Sequence, residues 1–273
     1  MISNLNIETS DIDSSRGQHT CLYKIFSSEV DPTKIFVFIH GLGVHVTSYL
    51  DWLERFVNKG YVVYSFDLPG HGRSSGKRGD VGNYYKLYQL ISDTISRGKS
   101  EYSSLPVVLY GHSLGGNILL SFIQNSNISS VSCCVVTAPW VRLDGNMYGA
   151  IFRFCRWLYS KRLSLIVPRN IWNFKSYNEE DPLVHHKIAT RTFYEAQNAG
   201  SFFFREDSFG DMNICLVHGA QDMATSALIS RELSKVHNNF TFGLFRNTRH
   251  HLQNSEEADE IFSYINKWID GSV

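Results

Sequence analysis

The chain has 273 residues, 43% of them apolar and 19% charged, which is enough to bury a sizeable core in one α/β domain carrying an inserted piece. Lys plus Arg and Asp plus Glu both number 26, so no global field exists to hold a polyanion, and charge alone argues against a nucleic-acid partner. The five cysteines, an odd number with no C-x-x-C spacing, read as reduced and mostly buried thiols of a cytoplasmic protein.

Residues 1–9 lack both a basic n-region and an apolar h-region, so no secretory signal is expected and the mature chain is expected to start near Met1. Residues 19–27 read as an extra N-terminal strand, expected to run antiparallel. Short runs rich in Val, Ile and Phe then recur at 35–39, 61–66, 106–110, 133–137, 214–217 and 240–245. They fall far short of the roughly 20 residues of a membrane span. They are continuously apolar, as strands covered on both faces should be. Between them, residues 50–59, 84–97, 117–125, 226–236 and 256–268 carry apolar side chains at helical spacing, and Gly60 closes the first of these helices. Alternation of this kind predicts a mostly parallel central sheet with helices on both faces.

The rhythm breaks between residues 139 and 207. That stretch is expected to be a helical cap inserted between a first core part, 1–138, and a second, 208–273. It is aromatic, with Trp140, Tyr148, Phe152, Phe154, Trp157, Tyr159, Trp172, Phe174, Tyr177, Phe193, Tyr194 and 202–204. From Arg142 to Lys175 it holds seven basic residues, Arg142, Arg153, Arg156, Lys161, Arg162, Arg169 and Lys175, against one acid, Asp144. Residues 153–162 read as a basic aromatic helix, either resting peripherally on an anionic lipid surface or forming a solvated basic face.

In a parallel sheet the ligand site lies beyond the C-terminal strand ends. After Tyr110 the chain reads Gly111-His-Ser113-Leu-Gly-Gly116 and enters an apolar helix, which is G-x-S-x-G in a strand–turn–helix setting. Serine is a weak nucleophile that needs a base, and the base needs an orienting acid, in the chain order Ser, acid, His. His218-Gly-Ala-Gln-Asp222 puts a carboxylate after one strand, and Arg246-Asn-Thr-Arg-His250-His251 puts imidazoles after the next. Asp222 also reads as a helix cap for the segment from Ser226, Asp207 and Asp211 are weaker competitors, and spacing does not choose between His250 and His251. After Ile39 comes His40-Gly-Leu42-Gly43, a turn that can aim the Leu42 amide, together with that of Leu114, at a carbonyl oxygen as an oxyanion hole. His40 and His112 read as satisfying local hydrogen bonds. His185-His186 lacks a third ligand or an H-E-x-x-H frame, so neither a metal nor a cofactor is expected.

These motifs, with Asp67-Leu-Pro-Gly-His-Gly-Arg-Ser74, Gly76, Asp181-Pro-Leu-Val184 and Arg249-His-His-Leu252, resemble the monoglyceride lipase and lysophospholipase group of α/β-hydrolases, from about residue 20 onward. The resemblance implies the α/β-hydrolase fold and a catalytic triad of Ser113, Asp222 and His250, the histidine being followed by one residue and then leucine. It also implies oxyanion amides at Leu42 and Leu114 and a helical cap admitting one acyl chain. The implied substrate is the carboxylic ester of a monoacyl lipid, cleaved through an acyl-enzyme. This chain departs from the pattern at Asn247-Thr248, where the group has small residues, and at Ser255, where it often has an acid. Rival readings keep the triad in a short-chain carboxylesterase, acyl-thioesterase or aminopeptidase-like hydrolase, or abandon catalysis for a ligand-binding receptor.

Overall fold

A computed structural model describes residues 5–13, 19–143, 145–168, 180–206 and 208–273. Asp144, Arg169, Trp172, Phe174, Lys175, Tyr177 and Asp207 lie outside these residues. In chain order the strands are β1 (Leu5–Asp13), β2 (His19–Ser27), β3 (Lys34–Ile39), β4 (Tyr61–Phe66), β5 (Val107–His112), β6 (Cys133–Thr137), β7 (Ile166–Pro168), β8 (Lys187–Ala189), β9 (Ile214–Gly219) and β10 (Phe240–Phe245). The helices are α1 (Leu50–Val57), α2 (Tyr84–Glu101), α3 (Leu114–Asn125), α4 (Asn146–Ser160), α5 (Thr190–Gly200), α6 (Ala227–Val236) and α7 (Ala258–Asp270). Among the described residues no helix is long and apolar enough to cross a membrane.

One sheet runs β1-β2-β4-β3-β5-β6-β9-β10, parallel from β4 to β10, with β2 antiparallel to β4 and β1 antiparallel to β2. With its flanking helices this is the α/β-hydrolase fold. The apolar strand runs have a direct cause, because alternate side chains enter two separate cores. On β3, Ile35, Val37 and Ile39 join α2 and α3 on one face, while Phe36 and Phe38 meet α1 and α7 on the other. The one charged residue of β3, Lys34, stands at its start, where burial is incomplete. All five cysteines are buried and free.

Strand β1, absent from the predicted elements, carries little periodic signal, since Asn6, Glu8, Ser10 and Asp11 dilute its apolar alternation. It is an edge strand held along one side only, by its register with β2. Helix α3 begins three residues before the apolar periodicity does, because Gly115 and Gly116 contribute no hydrophobic signal. Between β6 and β9 the chain adds α4, a two-stranded β7–β8 ribbon and α5. The basic aromatic helix stops at Ser160, so Lys161 and Arg162 occupy the turn beyond it. Helix α5 is docked on the body: Phe193 and Ala196 are buried, and Asn117 Nδ2 donates to the carbonyls of Trp140 at 2.5 Å and Ala196 at 3.0 Å.

Candidate active site

Three strand ends converge at one point. Between β5 and α3 the chain turns so sharply that Ser113 has φ 56°, a left-handed conformation that costs a β-carbon-bearing residue roughly 1–3 kcal/mol. Glycine is required beside it: a β-carbon at Gly115 would lie 2.1 Å from the Ile39 carbonyl oxygen, and one at Gly111 would lie 2.6 Å from that of Gly115. Backbone bonds from Ser113 N to Thr137 O at 2.9 Å and from Trp140 N to Ser113 O at 3.0 Å hold the turn.

His250 Nε2 lies 3.0 Å from Ser113 Oγ, and His250 Nδ1 lies 2.8 Å from Asp222 Oδ2. A carboxylate only accepts, so Nδ1 carries the proton and Nε2 presents its lone pair to the serine hydroxyl. His251 packs its ring beside those of His250 and His112, with centroids 5.3 and 5.8 Å away. Asp211 is exposed before β9, at the opposite end of that strand from Asp222. The helix-cap role falls to Ser226, whose hydroxyl accepts from Ile229 N. The loop bearing His250 is tied down by Glu257, whose Oε2 accepts from Asn247 N at 2.9 Å and from the Thr248 hydroxyl at 2.6 Å. A carboxylate thus supports this loop although Ser255 stands where the related group often has an acid.

Asp222 has a fully buried side chain and four N–H donors. Its Oδ1 accepts from Ala224 N at 2.7 Å and Thr225 N at 3.0 Å, and its Oδ2 accepts from His250 Nδ1 and, at 3.0 Å, from His218 Nε2. Burial by itself would raise this carboxyl's pKa; the attraction of His250 and the hydrogen bonds from His218 and His250 outweigh it and hold the group well below the usual carboxylate range. The second imidazole, fully buried His218, accepts from the Ser230 hydroxyl with its Nδ1, 3.0 Å away. In the sequence His218 is marked only as a histidine four residues before the acid, at the end of a buried strand.

His112, buried beside the site, shares a 3.0 Å hydrogen bond with Thr137 Oγ1, and its ring centre is 5.0 Å from that of His250. Desolvation, aided by the neighbouring His250 and His251, pushes its pKa well below the ordinary imidazole range. His112 therefore stays neutral beside His250.

The loop after β3 approaches the serine closely, with the β-carbon direction of Gly41 pointing 3.3 Å from Ser113 Cβ. His40 fixes the orientation of the following peptide: its Nδ1 donates to Gly41 O at 2.8 Å, and its Nε2 accepts from Leu68 N at 2.9 Å. Peptide units are planar and trans, so binding the Gly41 carbonyl on one side aims the Leu42 N–H the other way. Burial pushes the His40 pKa down to about 4, which keeps the ring neutral, and its two hydrogen bonds select the tautomer. Leu114 is the first residue of α3, and its amide is one of those a helix N-terminus leaves without an intrahelical partner.

A cavity of about 1190 Å³ opens over Ser113 and His250, bounded by Leu42, Tyr49, Trp140, Met223, Asn247 and Glu256 among others. Of the inserted stretch, only Trp140 lines it among the described residues. Beyond Trp140 the described part of that stretch adds no aromatic wall, and the lining mixes apolar Leu42, Val44, Tyr49 and Met223 with polar Asn247, Arg249 and Asn254.

The sequence pattern of a family described as serine aminopeptidase, S33, matches residues 30–257. An uncharacterized abhydrolase domain-containing protein of Dictyostelium discoideum is 27% identical over 97% of this chain, which spans 28% of that protein's length. A monoacylglycerol lipase of Mycolicibacterium smegmatis is 23% identical over 94% of this chain and 98% of its own length. In structure, a soluble variant of the monoglyceride lipase of Saccharomyces cerevisiae, solved with a substrate analogue, superposes with a TM-score of 0.82 at 16% identity, covering 100% of this chain and 97% of that one.

Proposed function

The chain belongs to the serine aminopeptidase S33 family of hydrolases, and we propose that it is a serine ester hydrolase of the monoacylglycerol lipase type, with Ser113, His250 and Asp222 as its catalytic triad. One observation carries this reading: the hydrogen-bonded chain from the Ser113 hydroxyl through His250 to buried Asp222. A ligand receptor has no use for a strained serine paired to an oriented base. The monoacylglycerol and monoglyceride lipases among its relatives and structural neighbours support a monoacyl ester as substrate.

Catalysis then follows from the geometry. His250 Nε2 takes the Ser113 proton as Oγ attacks the ester carbonyl, and the oxyanion rests on the Leu42 and Leu114 amides, each worth about 3 kcal/mol of transition-state stabilisation. The imidazolium, held by Asp222, protonates the leaving alcohol, and an acyl-enzyme remains. Water deprotonated by the same imidazole releases the fatty acid.

A fluorophosphonate probe is expected to label the wild type covalently and to leave Ser113→Ala unlabelled. Across monoacylglycerols, lysophospholipids and short-chain esters, the wild type should favour a long single acyl chain; absence of labelling in folded protein refutes the triad. A second reading, a short-chain carboxylesterase, is favoured by the polar side chains of Asn247, Arg249, Asn254, Ser255 and Glu256 in the cavity lining. A turnover maximum at acetyl or butyryl esters selects it.

Collection of substrate from a bilayer is the expected role of α4. Phe154 and Trp157 are 51% and 54% exposed, with Arg153 and Arg156 beside them. Arg142 places its guanidinium over the Phe204 ring, 4.5 Å from its centre. At roughly 1 kcal/mol per cation, replacing Arg153 and Arg156 by Gln should weaken binding to phosphatidylserine vesicles by about 30-fold. Binding indifferent to both salt and anionic lipid refutes docking.

A further inference from the structure

Asp181-Pro-Leu-Val184, at the end of the inserted stretch, has no part in the chemistry above, yet it makes specific contacts. Asp181 Oδ2 accepts from His45 Nε2 at 2.9 Å, a contact spanning 136 residues of sequence. His45 Nδ1 accepts from the Thr47 hydroxyl at 2.8 Å, which leaves the proton on Nε2, facing Asp181. Asp181 Oδ1 accepts from Leu183 N at 2.9 Å, which fixes the carboxylate plane. Four residues on, His185 N donates to Gly43 O at 2.9 Å. Both tethers land on the loop that carries the Leu42 amide, on the residue next to Leu42 and on one two positions further.

The same loop is held from its other side by Asp67, whose Oδ1 accepts from Val46 N at 2.9 Å. Asp67 is itself fixed by the Tyr23 hydroxyl and by Arg73 N, each 2.8 Å from Oδ2. His45 has no room to relax between the two clamps: it is 2% exposed, and a β-carbon at Gly72 would come within 2.7 Å of His45 Cβ. Beyond His185 the strap continues along the body, with Ala189 N donating to Gly79 O at 2.9 Å and Arg191 forming a two-point ion pair with Asp80 at 3.0 and 2.7 Å. A displacement of the strap at residues 181–185 therefore reaches Gly43 and His45 rather than dissipating in solvent.

We propose that Asp181 and His45 are a positioning pair that couples the inserted stretch to the oxyanion loop and sets the place of the Leu42 amide. The inference rests on the esterase reading, since it assigns Leu42 to the oxyanion. Neither side chain touches the reacting atoms. Their effect falls on the developing oxyanion, so it appears in kcat and not in the binding of uncharged ester.

The test compares wild type, Asp181→Ala, Asp181→Asn, His45→Gln and the double variant Asp181→Ala/His45→Gln. Asp181→Ala should lower kcat by on the order of 10- to 100-fold with little change in KM, as misplacement at a distance does. Affinity for a long-chain trifluoromethyl ketone, which forms an oxyanion adduct on the serine, should fall by the same factor, while affinity for the corresponding non-reacting alkyl ether stays constant. Asp181→Asn keeps its one acceptor oxygen for His45 only by turning its NH₂ towards the Leu183 amide and should recover part of the loss, and the double variant should be no worse than Asp181→Ala. A lowered Tm in Asp181→Ala and His45→Gln with unchanged kcat and an unchanged ketone-to-ether affinity ratio overturns the coupling and leaves a structural contact. Phosphonate labelling of the wild type separates the two layers. With labelling present, those unchanged ratios overturn the coupling alone; without it, the esterase reading and the coupling fall together.

Discussion

Asp222→Asn is expected to lower kcat at neutral pH by about 10⁴-fold while leaving the protein folded and its substrate affinity nearly intact. The size follows from the donors around this carboxylate. Four N–H groups point at it: two backbone amides on Oδ1, and His250 and His218 on Oδ2. An asparagine retains one acceptor oxygen for the amides and turns its NH₂ towards the two imidazoles. His250 must then accept at Nδ1 and carry its proton on Nε2, where it faces Ser113 as a donor and cannot take the hydroxyl proton. His218 adapts more easily, because Ser230 Oγ can accept as well as donate. Loss should therefore concentrate in kcat and in the rate of phosphonate labelling. A variant retaining a tenth or more of wild-type kcat would show that orientation of His250 does not depend on Asp222.

Stability is expected to fall steeply on mild acidification, before the carboxylates titrate. His40, His71 and His112 are buried, and burial holds each below the ordinary imidazole range, with His40 at about 4. In the unfolded chain all three titrate near pH 6.5. Above that value neither state binds these protons and stability is full. Below it the unfolded chain takes them up while the folded one does not, so stability drops as pH falls. Each proton contributes about 1.4 kcal/mol per pH unit, so the three give a loss of about 4 kcal/mol between pH 7.5 and 5.5. That is a large part of the 5–15 kcal/mol typical of a folded domain. Asp222, held low, retains its contribution through this window and loses it only as pH drops below the unfolded aspartate value near 3.9. Urea unfolding at a series of pH values measures the slope, and His71→Phe should reduce it by about one third. A flat profile from pH 7.5 to 5.5 would mean that the imidazoles open to solvent before the chain unfolds.

Periodicity and composition suffice to predict the sheet and the elements that carry the candidate site. Fully apolar runs such as 35–39 and 133–137 leave no solvent face, so helices must cover both sides, and G-x-S-x-G between a strand and a helix places the serine without coordinates. Composition diluted the signal in β1, whose polar residues suit an edge, and glycine hid the first turn of α3. Contacts between residues distant in sequence come from the packed fold instead. Spacing could not separate His250 from His251, because the turn after β10 determines which ring faces Ser113. Nor could it reveal His218 as a second donor to Asp222, His40 as the group orienting the Leu42 peptide, or Asp181 as the partner of His45 across 136 residues. Local sequence encodes backbone conformation and burial through periodicity and steric demand, whereas a hydrogen bond between loops depends on how several strand ends are aimed at once, and that is settled only when the whole sheet has packed.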